Sequence, residues 1–562
     1  MFAKRTHLLG FSSTLLALMM VMALSTSLVV NGQTDQPPTD QNIAATLGPN
    51  LLTNPYFNTG GFYKRPPNSL IASGWFRWDV TRPDGPNPIP EFIDGGSLYH
   101  NACYPEPPAG GLCADMTPKN HSQGYIKYGG NYIAGMWQPV QVAACANYQF
   151  SGYVRTDAPG YRPKVGIDPT GWQQPPKNNP GPGDYDCPPT GSSLCPRDHF
   201  SYESDMPATI VWSAPYAYDP PTPPVYWRGP LSVTTEALST TITVWTYAAP
   251  SNPGSQSTYW DYMSLVQVPP PNNKLIAVGA LPAPDGSVTN VATATTALRA
   301  ELTWTSDAPA LSQVLYHYVG DATMASPPAI ASFVAEYELS TAIDYAPSKN
   351  HSVRLPDLRP LSLYDYVILS RRVVGNVCQT SVYVGRLATS DSLVLPGSLP
   401  QPSSGMIGAT VLPFDTFAYV IWQSASPSYG QVLYHYSGPI TPTISPTLTQ
   451  QVFLPLVAGN NLQDSTTNYE SRTPPTTEFT TLHVVKLDNL HLQSRYSAKA
   501  VSAWTSGDQD NVAVSERLLF LTDNSATTAM DSLTPDQVME QLQTCLAGNK
   551  PLADCMSELN QP

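Results

Sequence analysis

The chain has 562 residues and a formal net charge of −14, a length that suits roughly three or four domains. Its acidic balance excludes nucleic acid as a partner, because neutralising phosphate needs a basic surface. Charged residues make up 12% and prolines number 59, about half and about twice the ordinary shares. With abundant Gly, Ser, Thr and Tyr, this composition points to an all-β protein of short strands, many turns and polar, uncharged surfaces.

Residues 1–32 read as a signal peptide. Lys4, Arg5 and His7 precede an apolar run from Leu8 to Val30 that is broken by Ser12, Ser13, Thr14, Ser25, Thr26 and Ser27. A basic start followed by an apolar stretch is the secretory pattern. Cleavage fits Ala23-Leu24-Ser25 or a point near Gly32. An uncleaved anchor is the alternative, since the run is nearly long enough to span a bilayer, but its polar interruptions are poor membrane residues. With the signal removed no span remains, so a secreted or cell-surface location is expected. Residues 33–48 form a polar linker.

Residues 49–268 form the first domain. Segments such as GMWQPVQV (135–142), YQFSGYVRT (148–156) and STTITVWTYAA (239–249) alternate with turns. In the last of these Ile242, Val244 and Thr246 point one way, and Thr243, Trp245 and Tyr247 the other, the period-two pattern of a strand. Two long stretches interrupt the strands, each with a close cysteine pair: Cys103 with Cys113, and Cys187 with Cys195. Eight cysteines suit an oxidising compartment. Cys545 with Cys555 makes a third close pair, and Cys145 and Cys378 are left over in different domains.

A proline-rich linker (269–274) leads to a repeat. LTWTSDAPALSQVLYHY (302–318) recurs as VIWQSASPSYGQVLYHY (420–436), and HSVRLPDL ending at Leu358 recurs as HVVKLDNL ending at Leu490. A unit of this size buries its own core. The two copies span 275–391 and 406–523, joined by a linker over 392–405, and the second carries an insertion around 454–477. Residues 524–562 then turn helical. Thr534-Pro535-Asp536-Gln537 is a helix start with a capping box, Val538, Met539, Leu542, Cys545 and Leu546 follow at helical spacing, and Gly548-Asn549 stops it. Cys545 and Cys555 would staple a helical hairpin whose expected role is capping or docking.

These residues carry two resemblances. NLLTNPYFNTGG (50–61), GWFRW (74–78) and YWDYMSLVQV (259–268) resemble the opening strand, Gly-Trp turn and closing strand of jelly-roll, galactose-binding-like carbohydrate-binding modules, across nearly all of 49–268. The resemblance implies a β-sandwich jelly roll that binds a polysaccharide or glycoconjugate, with a structural calcium where the first and last strands meet. Calcium takes several oxygen ligands. Asp261 stands at the matching acid position, whereas Asn58 and Tyr262 replace two acids of the pattern. The repeats resemble fibronectin type III-like sandwiches, similar to the N-terminal domain of purple acid phosphatases. That resemblance implies tyrosine corners at Tyr364 and Tyr496, whose hydroxyls tie down the preceding loops, and a scaffold role for His317 and His435.

Eight of the eleven tryptophans fall in the first domain. Aromatic faces stack on sugar C–H surfaces while polar side chains take the hydroxyls. Trp78, Tyr128, Tyr132, Trp137, Trp172 and Trp227 lie beside Gly, Asn, Gln and Arg and are the platform candidates, with Gln138 and Arg155 as hydroxyl partners; ordinary packing is the alternative for each. Trp75, Trp212 and Trp260 read as core. No motif of a catalytic nucleophile, a metalloprotease or a phosphate-binding loop occurs, and no pair of carboxylates stands out for glycoside hydrolysis. The expectation is a non-catalytic, glycan-binding protein of the cell exterior; a structural or adhesion protein that binds a cell-envelope protein is the alternative.

Overall fold

The computed structural model describes residues 48–57, 62–65, 69–80, 90–94, 121–128, 132–156, 162–171, 199–200, 203–216, 227–250, 255–397, 399–440, 465–507, 509–522, 534–548 and 550–559. The described residues are all-β apart from a C-terminal helical hairpin and short 3-10 turns, and the chain forms two compact units that divide between Pro270 and Pro271. The expected signal peptide, both cysteine pairs before residue 200, Asn58 and Trp172 lie outside the described residues. Among those described, no helix is long and apolar enough to cross a membrane.

The first unit contains β1 (Phe62–Arg65), β2 (Ser69–Ala72), β3 (Phe76–Val80), β4 (Glu91–Asp94), β5 (Gln123–Tyr128), β6 (Ala134–Gln141), β7 (Asn147–Thr156), β8 (Lys164–Asp168), β9 (His199–Phe200), β10 (Val211–Trp212), β11 (Trp227–Glu236), β12 (Thr241–Tyr247) and β13 (Ser255–Val268). A six-stranded sheet, ordered β10-β8-β12-β6-β3-β9, packs on a five-stranded sheet, ordered β11-β7-β13-β5-β4. The alternation read in β12 sorts its side chains between two environments. Thr246 faces the second sheet, where its Oγ1 lies 2.9 Å from the Tyr125 hydroxyl. Trp245 and Tyr247 face the opposite way. The opening segment is tied to the closing strand by Asn50, whose Nδ2 donates to Met263 O at 2.9 Å and whose Oδ1 accepts from Leu265 N at 3.0 Å.

The second unit contains β14 (Val288–Thr295), β15 (Ala300–Asp321), β16 (Leu339–Ser340), β17 (Asp344–Leu355), β18 (Ser362–Val374) and β19 (Val377–Ala388) in the first repeat. The second repeat contains β20 (Met406–Pro413), β21 (Ala418–Pro439), β22 (Ser471–Arg472), β23 (Thr480–Leu487), β24 (Ser494–Ser506), β25 (Gln509–Val514) and β26 (Leu518–Leu521). Helices α1 (Pro535–Ala547) and α2 (Leu552–Leu559) end the chain. Each repeat is built around one 22-residue strand. The first half of β15 pairs with β14 and β17, its second half with β16 and β18, and the register shifts between Thr305 and Ala310. A strand that changes partners at such a break passes from one layer of a sandwich to the other.

The repeated motif residues hold equivalent places. Trp304 is 2% exposed, donates to Ser370 Oγ at 3.2 Å and stacks on His351 at 4.9 Å between ring centres. Trp422 is fully buried, donates to Ser502 Oγ at 2.8 Å and stacks on His483 at 4.8 Å. Tyr364 accepts from Arg359 N at 2.8 Å and Tyr496 from His491 N at 2.7 Å, each tying down the preceding loop from a buried ring. His317 sits edge-on to Tyr337. The repeated glutamine acts as a clamp. Gln313 bonds Leu275 N, Asn273 O and Thr341 O; Gln431 bonds Leu393 N, Asp391 O and Thr473 O. Both glutamines are fully buried, and each fixes the chain entering its own repeat.

The linker over 392–405 is therefore packed rather than free. Leu393, Val394 and Leu399 are buried against Ala297 and Leu298 of the first repeat and Leu433, Val501 and Val514 of the second. Arg299 and Asp510 add an ion pair at 2.9 Å across this contact.

Candidate functional site

Pairing in the six-stranded sheet places Phe76 beside Trp137, Trp137 beside Trp245, Trp245 beside Gly166 and Tyr247 beside Lys164. Paired residues share a face. Phe76, Trp78, Trp137, Trp245, Tyr247 and Trp212 therefore line the face turned away from the second sheet. The rings touch in series: Phe76 stacks on Trp137 at 4.6 Å, Trp137 on Trp245 at 5.8 Å, and Trp212 meets Tyr247 edge-on at 5.5 Å. Residues 203–210, ahead of β10, cross this face and bury Met206 and Ile210 against it together with Phe200 of β9.

That covering changes the picture for the predicted platforms. Trp78 is fully buried and donates to Thr246 O at 3.1 Å; Trp137 is 5% exposed. Tyr132 is 2% exposed and its hydroxyl lies 3.1 Å from Thr258 Oγ1. Here the structure differs from the expected open stacking surfaces: strand parity turns Trp78 and Trp137 under the crossing segment, and the Tyr132 hydroxyl finds its partner inside. Gln138 is buried too, bonding Thr53 N, Thr53 O and Gly74 O, so it anchors the opening segment rather than facing a ligand. Arg155 is buried with its guanidinium over the Tyr259 ring. Tyr128 is 78% exposed at the end of β5, and Trp227 begins β11 opposite Arg155. Asp261 is 3% exposed and accepts from Tyr262 N at 2.8 Å. Among the described residues no three His, Cys, Asp or Glu side chains gather as a metal site.

One end of the aromatic face stays partly open. Trp212, read from sequence as core, is half-buried on the edge strand β10. Its ring lies against Gly166, where an added Cβ would come within 2.5 Å of Trp212 Cε3, so glycine is required for the ring to sit there. The half-buried Lys164 places Nζ 4.5 Å from the centre of Trp212 and 4.1 Å from that of Tyr247. Tyr247 donates to Glu203 Oε1 at 2.8 Å, and Glu203 is exposed on the crossing segment. Burial first, then the Glu203 carboxylate, push the Tyr247 hydroxyl well above the ordinary phenol range, so it remains a donor. Burial lowers the Lys164 ammonium while Glu203 opposes that shift. The result is an aromatic edge with a cation, an acid and a phenol within reach of one another. Tyr247 was placed on this face by its alternation with Val244 and Thr246. Lys164 and Glu203 were invisible as partners, because they meet Tyr247 from distant parts of the chain.

The remaining cysteines settle simply. Cys545 and Cys555 are bonded to each other, Cys145 and Cys378 are each disulfide-bonded, and no described cysteine is a free thiol.

No family model and no curated protein matches the chain. Among solved structures, the carbohydrate-binding module TmCBM61, solved in complex with β-1,4-galactotriose, aligns with 39% of this chain and 99% of its own at 10% identity and a TM-score of 0.21. At that score the functional reading rests on this chain's own residues.

Proposed function

We propose that this is a secreted or cell-surface, non-catalytic protein whose first sandwich binds a neutral polysaccharide or glycoconjugate at the Trp212 edge of its six-stranded sheet. The observation that carries the reading is the half-buried Trp212 ring with Lys164, Tyr247 and Glu203 around it. A ring edge supplies the stacking surface and the polar trio supplies hydroxyl partners, the combination a sugar needs. Disulfide-bonded cysteines support an oxidising compartment. A structural calcium at Asp261 belongs to the same proposal and would brace the closing strand.

The test is retention of the full chain on a panel of soluble and insoluble polysaccharides. Trp212→Ala should weaken retention about 30-fold, the loss expected for a central aromatic anchor, with the folded far-UV spectrum kept. Retention unchanged in Trp212→Ala and in Glu203→Gln refutes this site. A second reading, a structural or adhesion role toward a cell-envelope protein, draws on the burial of Trp78 and Trp137 under the crossing segment; absence of retention on every glycan tested favours it.

A further inference from the structure

The two repeats differ on one sheet face, and the helical hairpin accounts for the difference. In the first repeat Glu301 and Thr303 on β15, and Asn350 and Ser352 on β17, are exposed. The same positions of the second repeat, fixed by the shared motif and pairing, are Tyr419, Ile421, Leu482 and Val484, all at most 8% exposed. What covers them is α1 and α2, through Val538, Leu542 and Cys555, each fully buried in that cluster.

We propose that the Cys545–Cys555 disulfide makes this hairpin a redox-released cap, whose reduction frees the helices and uncovers the apolar face of the second repeat. The helices have 13 and 8 residues, and helices this short do not persist in water by themselves. Docking and the staple must hold them together. The staple does this directly, because Cys555 is both the bridge to α1 and one of the docked side chains. The Lys550–Glu558 ion pair joins the same turn but is exposed and screened. Reductant has a way in: Cys545 lies in an open groove lined by Glu540, Thr544, Lys550 and Glu558. Exchange is balanced. A dithiol attacks one sulfur, the second thiol closes the reagent to its own disulfide, and two electrons and two protons leave two thiols on the hairpin. Glu540 and Glu558 favour a small neutral dithiol over an anionic thiol peptide.

The experiment uses the full chain and follows amide exchange in α1, whose amides are protected while the hairpin is docked. Cys545→Ser/Cys555→Ser under non-reducing conditions should exchange about 100-fold faster in α1, the weight of a loop closed over ten residues, and bind more of an apolar dye. Exchange in β15 of the first repeat is the reference for intact folding. Graded dithiothreitol on the natural chain should give the same α1 change, reversed on reoxidation. Unchanged α1 exchange in both the double variant and the reduced natural chain would overturn the proposal. So would a loss of protection that spreads equally to β15, because the staple would then hold the whole unit rather than a cap.

Discussion

His483 is the sharpest lever on the stability of the second repeat. Its ring is 1% exposed, lies flat on Trp422, and holds Nε2 3.0 Å from Ser428 Oγ. Gly430 sits so close that an added Cβ would fall 2.6 Å from His483 Nδ1, so the backbone itself packs against the ring. Burial pushes its pKa down from 6.5 to about 4. The folded value is depressed, so the contribution is intact above the unfolded value of 6.5 and is lost as pH falls toward 4. Over that window the unfolded chain binds the proton first. A shift of this size is worth about 3 kcal/mol, at ~1.4 kcal/mol per unit. The assay is urea denaturation of the full chain at pH 7.5, 6, 5 and 4, followed by amide exchange in β23. Titrating carboxylates contribute to any acid transition, so the informative quantity is the difference between the natural chain and His483→Gln. The variant is less stable at pH 7.5, having lost the stack, but its stability should fall by about 3 kcal/mol less on going to pH 4. Parallel pH profiles for the two proteins would show that the ring protonates freely in the folded state and would refute the argument.

Other outcomes follow from the same structure. Gln431→Ala removes three buried hydrogen bonds and should cost about 2–4 kcal/mol, read as faster exchange at Leu393 and Thr473; Gln313→Ala should loosen Leu275 in the same way. Tyr364→Phe and Tyr496→Phe each leave a loop amide without its acceptor and should cost about 1–2 kcal/mol by chemical denaturation. Leu542→Asp places a charge in a fully buried site against Ile421 and Val484 and should detach the hairpin while the disulfide stays intact, seen as lost α1 protection. For calcium at Asp261, a chelator should lower the melting temperature of the natural chain and leave Asp261→Asn unaffected; equal responses remove the ion from the proposal.

Much of the fold lay open in the sequence, because it is written in short-range pattern. The alternation in STTITVWTY sorted Thr246 from Trp245 and Tyr247 correctly. The capping box placed Thr534 at a helix start, where its Oγ1 accepts from Gln537 N at 3.3 Å. The duplicated Trp, Gln, His and Tyr located two equivalent cores. The site was far less legible. Trp78 and Trp137 looked like platforms from polar neighbours in sequence, but those neighbours point to the other side of the sheet, and the crossing segment lies more than 60 residues further along the chain. Trp212 looked like core because large aromatics dominate sandwich cores, yet β10 is an edge strand and leaves its ring half-buried. The glutamine clamp was visible as a repeated letter and not as a role, since its partners lie 28 to 42 residues away, before and after it in the chain. The apolar outer face of the second repeat could have been found by setting Tyr419 and Ile421 beside Glu301 and Thr303, a comparison of outward positions rather than of shared ones.

The packed linker between the repeats has a mechanical meaning. Two sandwiches joined by a free tether bend independently, and a pull on one end is first spent straightening the tether. Here Leu393, Val394 and Leu399 are embedded and Gln431 grips the chain from behind, so there is no slack to take up. The two repeats should tumble in solution with one rotational correlation time, and load applied along the chain should pass directly into the long β15 and β21 ladders, which resist it in shear.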